Sequence, residues 1–300
     1  MIVHAAGSGP TVAITANIHG DEATGVAVVQ EVDRLLTDRQ VRGMALLYPT
    51  LNPAGLTART RVHPSGHDLN RLFPGVRKGS PSERHVHGIW EDLLARNVDL
   101  VVDLHADSGR SVPYAIVDRA LSNGKGRGLA PRLEQLAAAT GLIVLREYPE
   151  DQYLRYSLDR SLAGALVNRA SVAAVTIEAG PRRWLDPNAV ELAAGAVLRV
   201  LQHVGMVEGA PPAPVAFAPC GPWRREAAPR TRRTGLFREV VPPGGVFAKG
   251  DVLGRVVDLE GEEVDRLVAP RAGVVISWAE TAWLAAGSAA GTIGVEDDRA

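Results

Sequence analysis

The chain has 300 residues, 46% apolar and 22% charged, with 33 basic against 34 acidic side chains and a formal charge of −1. That length allows one large domain, or a large one with a small companion, and a sizeable core. The balanced charge gives no global attraction to nucleic acid or to an anionic membrane, and no apolar run approaches the roughly 20 residues that a bilayer span needs. The opening "MIVHAAGSGP" lacks the layout of a secretion signal, so a soluble, cytoplasmic protein is expected. The only cysteine, Cys220, excludes an intrachain disulfide and reads as an ordinary thiol, because nothing nearby would activate it.

In chain order, "TVAITANI" (11–18) reads as a buried strand and "EATGVAVVQEVDRLL" (22–36) carries apolar residues at helical spacing. A strand follows at 41–50, a helix at 82–96 and a strand, "VDLVVDLHA", at 98–106. Further on, helices at 130–141 and 157–169 alternate with strands at 142–148 and 172–180, and a last helix spans 187–205. Continuous apolar strands separated by helices predict an α/β fold with a mostly parallel or mixed sheet covered by helices on both faces. Composition changes at "EGAPPAPVAFAPCGP", whose prolines exclude regular helix. The expected organisation is a catalytic domain over 1–207, a Pro-rich linker over 208–221 and a small all-β domain over 222–300. The turn-and-strand rhythm of that last part resembles a lipoyl or biotinyl barrel-sandwich. Its hairpin "VVDLEGEEV" lacks the carrier lysine, so a carrier role is not expected.

In an open α/β sheet, ligands bind beyond the carboxyl ends of the strands. His19 ends the first strand, with Glu22 expected in the first helical turn; His105 ends "VVDLH", and Glu178 ends "AVTIE". Two histidines and a carboxylate form a common catalytic zinc set, and a further carboxylate outside the ligand set can act as base. At a helix start Glu22 would stay ionised, and Gly20 would let the backbone turn tightly between the two ligands. Asp103, on the same strand face as His105, could accept the second N–H of a ligand histidine. The polar segment 51–75 is too long to be a mere connection and holds Arg59, Arg61, Asn70 and Arg71. Arginines of that kind bind a carboxylate or polarise a carbonyl, and composition does not choose between these uses and ordinary surface positions.

The ordered motifs "NIHGDEATG" (17–25), "TR" (60–61), "DLNRLFPG" (68–75), "DLH" (103–105) and "TIEAG" (176–180) resemble the succinylglutamate desuccinylase and aspartoacylase family, of the carboxypeptidase A type. The resemblance implies that His19, Glu22 and His105 hold Zn2+, that Arg61 polarises the scissile carbonyl, that Asn70 and Arg71 hold the substrate carboxylate, and that Glu178 is the general base. It implies hydrolysis of the amide of a small N-acyl amino acid. The alternatives are a zinc carboxypeptidase acting on short peptides and a catalytically silent metal- or ligand-binding module. Aspartoacylase uses a tyrosine from its C-terminal region, whereas the last tyrosine here is Tyr156, which puts acyl-aspartate specificity in doubt. His63 and His67 read as exposed loop residues, while Tyr114, Arg146, Tyr148 and Tyr153 are candidates to shape the pocket. His4, His85, His87 and His203 are not expected to be ligands. A small-molecule substrate is the expected partner, with neither nucleic acid nor membrane; a homo-oligomer is admitted but not indicated.

Overall fold

The computed structural model describes residues 1–214 and 221–297. The strands are β1 (Ile2–Ala6), β2 (Thr11–Ala16), β3 (Gly43–Tyr48), β4 (Leu100–His105), β5 (Tyr114–Val117), β6 (Ile143–Arg146), β7 (Ala173–Glu178) and β8 (Trp223–Ala227). They continue with β9 (Gly235–Glu239), β10 (Val246–Phe247), β11 (Val252–Val257), β12 (Glu263–Val268), β13 (Gly273–Trp278), β14 (Trp283–Leu284) and β15 (Gly291–Val295). The helices are α1 (Thr24–Thr37), α2 (Pro53–Ala58), α3 (Pro81–Ala95), α4 (Ala130–Ala139), α5 (Glu150–Arg155), α6 (Leu162–Ala165) and α7 (Pro187–His203). The molecule is the mixed α/β architecture expected from the alternation of apolar strands and helices.

One 11-stranded sheet runs in the order β1-β3-β2-β4-β7-β5-β6-β8-β15-β13-β10. Its centre, β3-β2-β4-β7, is parallel. Every residue of β4 is buried, as a strand covered on both faces must be. Val28, Val29 and Val32 of α1 join the same core as Val86 and Leu93 of α3 and Leu162 of α6. Two strands escape the sequence reading. β1 pairs antiparallel with β3 as an exposed edge. β5, only four residues long, inserts antiparallel beside β7 and places Tyr114 opposite Glu178.

The sheet does not stop at the proline-rich stretch. β8 adds parallel to β6, pairing Leu145 with Trp223 and Arg146 with Arg224, and β15, β13 and β10 extend the sheet antiparallel from there. A second sheet, β12-β11-β9-β14, closes over this extension, burying Phe237, Leu253, Leu267, Trp278 and Ile293 between the two. A further apolar cluster joins Tyr114, Ile116, Ile143 and Leu145 to Val274 and Ile276, and so ties the C-terminal strands to the first part of the chain. Of the expected linker, residues 215–220 with Cys220 lie outside the described residues, as do residues 298–300 of the expected β domain.

The helix expected over 157–169 is broken. A 3-10 turn at Leu158–Arg160 ends at Ser161, which is extended (φ −69, ψ 167) and caps α6 through the Gly164 N–H. A π-helical turn, Leu166–Ala170, follows. The break serves the site: the Leu162 N–H at the new helix start donates to Asn70 Oδ1 at 2.7 Å.

Candidate metal centre and active site

The loop after β2 is shaped by Asn17. Its backbone is left-handed (φ 58), which asparagine tolerates, and its Nδ2 donates to the carbonyls of His19, Gly20 and Glu22 at 2.9, 3.2 and 3.1 Å. Thr50 in turn donates to Asn17 Oδ1 at 2.7 Å. Gly20 serves close approach rather than a special dihedral, since a Cβ there would lie 2.1 Å from the carbonyl carbon of Gly55 in α2. Glu22 is not in the first helical turn, because the helix starts at Thr24 with Ala23 as its cap. Its carboxylate is held instead by the Ala106 N–H (3.2 Å) at the end of β4. Asp21, between Gly20 and Glu22, is buried in the same loop, with Arg183 at 3.7 Å.

His19, Glu22 and His105 converge. His19 Nδ1 lies 2.8 Å from Glu22 Oε1, His105 Nδ1 lies 2.9 Å from Glu22 Oε2, and the two Nδ1 atoms are 3.2 Å apart. Among the described residues this is the group whose ligand atoms, all within 4.8 Å of one another, could hold a metal ion. Bonds of about 2.0–2.1 Å around a tetrahedral ion separate neighbouring ligand atoms by about 3.3 Å, close to these spacings. The two imidazole nitrogens, 3.2 Å apart, both face the Glu22 carboxylate, an arrangement that a shared metal ion would satisfy. His105 Nε2 lies 3.1 Å from Asp103 Oδ2, and Thr15 donates to Asp103 Oδ1 at 2.7 Å. That chain fixes the ring so that Nδ1 faces the centre. Burial opposes charge on His105, but Asp103 and Glu22 outweigh it and hold its pKa well above the usual histidine value. Burial likewise opposes charge on Glu22, yet His19 and His105 hold it well below the usual carboxylate range. The residues therefore fit a divalent cation: two imidazole nitrogens, a carboxylate held ionised, and surroundings that favour positive charge at the centre.

Glu178 ends β7, in register with His105 on one side and Tyr114 on the other. Burial pushes its carboxyl up to about 7; His105 and Arg225 oppose this, and Glu22 and Asp107 add to it. Arg61 lies across the centre, with Nη1 3.5 Å from Glu22 Oε1 and Nη2 3.2 Å from Asp68 Oδ2. Burial raises Asp68, but His19, Arg61 and Arg71 outweigh it and hold its carboxyl below the ordinary aspartate range. Asn70 is buried and committed through Oδ1 to the start of α6, while its Nδ2 makes no hydrogen bond within the described protein. All seven residues of the expected site line one cavity of about 190 Å³.

The other pocket candidates divide. Tyr114 lines the cavity and donates to Asp107 Oδ2 at 3.1 Å, whereas Arg146 is drawn away to Glu134 and Asp297. Tyr153 reaches the cavity only indirectly, through its hydroxyl on Asp118. His63 stacks on His85 outside the cavity. The sequence reading misses five charged residues that line the cavity: Asp107, Asp118, Glu147, Arg182 and Arg225. Only Asp107 had a signal, two residues beyond "DLH". Arg225 comes from β8, inside a stretch that carries no motif.

Residues 8–204 match the family model described as the succinylglutamate desuccinylase/aspartoacylase catalytic domain. The N-alpha-acetyl-L-2,4-diaminobutyric acid deacetylase of Halomonas elongata is 27% identical over 260 residues, 84% of this chain and 72% of that protein. The crystal structure of a succinylglutamate desuccinylase/aspartoacylase from Rhodobacter sphaeroides superposes with a TM-score of 0.81 at 25% identity, covering 99% of this chain and 88% of the other. The product-bound ectoine utilization protein EutE (DoeB) of Ruegeria pomeroyi shares the fold, with a TM-score of 0.79 at 24% identity over 98% of this chain and 87% of that one. With the family model spanning most of the chain and its motifs meeting in one cavity, this protein belongs to the succinylglutamate desuccinylase/aspartoacylase family.

Proposed function

We propose that the protein is a zinc-dependent deacylase that hydrolyses the amide of a small N-acyl amino acid to a carboxylate and a free amino acid. The observation that carries this reading is the meeting of the His19–Glu22–His105 centre, Glu178 and the Arg61–Asn70–Arg71 loop in one cavity. His19 and His105 would hold the ion through Nδ1, and Glu22 through its carboxylate. When bound, zinc supplies Lewis-acid polarisation and lowers the pKa of water at the centre.

The chain's own groups supply the rest. A carboxyl pushed to about 7 accepts a proton readily near neutral pH. Glu178 takes it from the attacking water and returns it to the amide nitrogen as the C–N bond breaks. Arg61, steadied by Asp68, donates to the carbonyl oxygen as negative charge develops there. Asn70 Nδ2 and Arg71 receive the substrate carboxylate, which sets the amide beside Glu178. A cavity of about 190 Å³ favours a small acylated amino acid over a peptide, which weighs against the carboxypeptidase alternative. The presence of both Glu178 and Arg61 weighs against a silent binding module.

The test is hydrolysis of a panel of N-acyl amino acids, led by N-acetyl-2,4-diaminobutyrate, by zinc-loaded protein, with release of free amine as the readout. Turnover of at least one member, lost in Glu178→Ala, supports the reading. Turnover unaffected by Glu178→Ala contradicts it.

A further inference from the structure

Of the four arginines that line the cavity, Arg61 and Arg225 have carboxylate partners and Arg182 donates to the Ala106 carbonyl, which leaves Arg71. Arg61 is engaged by Asp68, and Nη1 of Arg225 lies 2.8 Å from Glu147 Oε1. Among the described residues no carboxylate lies within ion-pair distance of Arg71, whose Nη1 reaches only the Asn70 carbonyl, at 2.7 Å. Burial holds the Arg71 pKa below the ordinary arginine value; Arg61 and Arg225 add to that, against the pull of Asp68 and Glu147. Arg71 and Arg225 thus line the same cavity, and Arg71 has no carboxylate partner there.

Arg225, for its part, keeps an unused donor. Its Nε is buried and has no acceptor, although a buried donor left unmade costs free energy. The guanidinium cannot drift to find one, because Glu147 holds one nitrogen and the Tyr148 ring lies under it, 5.2 Å from Cζ to centroid. Glu147 is fixed in turn by the Tyr148 N–H on Oε2, at 3.0 Å. A rigid planar fork with an unused edge beside an unpaired arginine is suited to a carboxylate.

We propose that Arg225 is a specificity-determining residue that shares the substrate carboxylate with Arg71, with Glu147 as the positioning residue for its guanidinium. This rests on the deacylase reading above. Since β8 lies beyond the segment that matches the family model, the C-terminal strands complete the substrate site of this chain rather than only covering it.

The experiment compares N-acetyl-2,4-diaminobutyrate with N-acetyl-1,3-diaminopropane, the same amide without the carboxylate, in wild type and variants. Loss of a hydrogen bond to a charged group predicts that Arg225→Ala raises KM for the acid about 10- to 100-fold, with kcat changed less than about 3-fold. The kcat/KM for the analogue stays within about 3-fold of wild type. Arg225→Lys gives an intermediate KM, because it keeps the charge and loses the fork. Because Arg225→Ala leaves Glu147 buried and unpaired, the double variant Arg225→Ala/Glu147→Gln guards against misfolding and should show the same selective loss. If acid and analogue lose kcat/KM equally in the folded double variant, or KM for the acid is unchanged, Arg225 is a structural brace and the assignment is wrong. A wild type that hydrolyses no acylated amino acid overturns the deacylase reading, and this assignment with it.

Discussion

Asp118 sits just beyond β5, buried at the cavity wall, where its Oδ1 accepts the Tyr153 hydroxyl and, at 2.8 Å, the Arg119 N–H. Burial, reinforced by Glu147, raises its pKa from the ordinary 3.8 to about 7. An acid whose folded pKa is raised stabilises the fold fully below its unfolded pKa, and that stability is lost as pH rises through the folded value. For Asp118 the window runs from about 4 to about 7, and the whole gap corresponds to about 4 kcal/mol. Between pH 5 and pH 8 the loss is about 2.5 kcal/mol. Asp118→Asn removes the titration and keeps an oxygen for both hydrogen bonds. Urea unfolding of variant and wild type, run side by side at pH 5, 6.5 and 8, isolates this group from every other titration. The variant should gain about 2.5 kcal/mol on wild type across that range. A difference that stays constant with pH, or shrinks, would refute the reasoning.

Three further outcomes follow from the site. Glu178→Gln should lower kcat by about 10²- to 10⁴-fold while the zinc content of the purified protein, read by plasma mass spectrometry, stays at the wild-type level. Asp103→Asn breaks the 3.1 Å contact that orients His105 and should weaken zinc affinity about 10- to 100-fold in competition with a chromophoric chelator; unchanged affinity would remove Asp103 from the centre. Gly20→Ala must push the ligand loop off Gly55, so chemical denaturation should show a loss of about 1–3 kcal/mol together with reduced metal binding.

Much of the centre was legible because its residues lie at or just beyond strand ends, and in a parallel sheet strand ends meet. His19 follows β2, and His105 and Glu178 end β4 and β7; these strands are neighbours, so three positions far apart in sequence were bound to meet once the alternation was read. Glu22 was placed correctly in space but for the wrong local reason: the helix begins two residues later, and the Ala106 N–H rather than the helix start holds the carboxylate. The four-residue β5 and the edge strand β1 were too short or too exposed to carry a periodic signal. The break at Ser161 was hidden because apolar spacing continues across it, while the backbone turns to hand the Leu162 N–H to Asn70. Arg225 and Glu147 could not be read in advance. Their meeting depends on β8 joining β6, a pairing between segments separated by three helices and a strand that no local pattern encodes.

The most direct test of a metal-dependent deacylase built on His19, Glu22 and His105 is metal reconstitution with the product measured. Protein stripped with a chelator is titrated with zinc while free amine released from N-acetyl-2,4-diaminobutyrate is followed. Activity should be absent from stripped protein and should rise to a plateau at one zinc per chain in the wild type, with no recovery in His105→Ala. Undiminished activity in the stripped protein, or the same zinc-dependent recovery in His105→Ala, would contradict it.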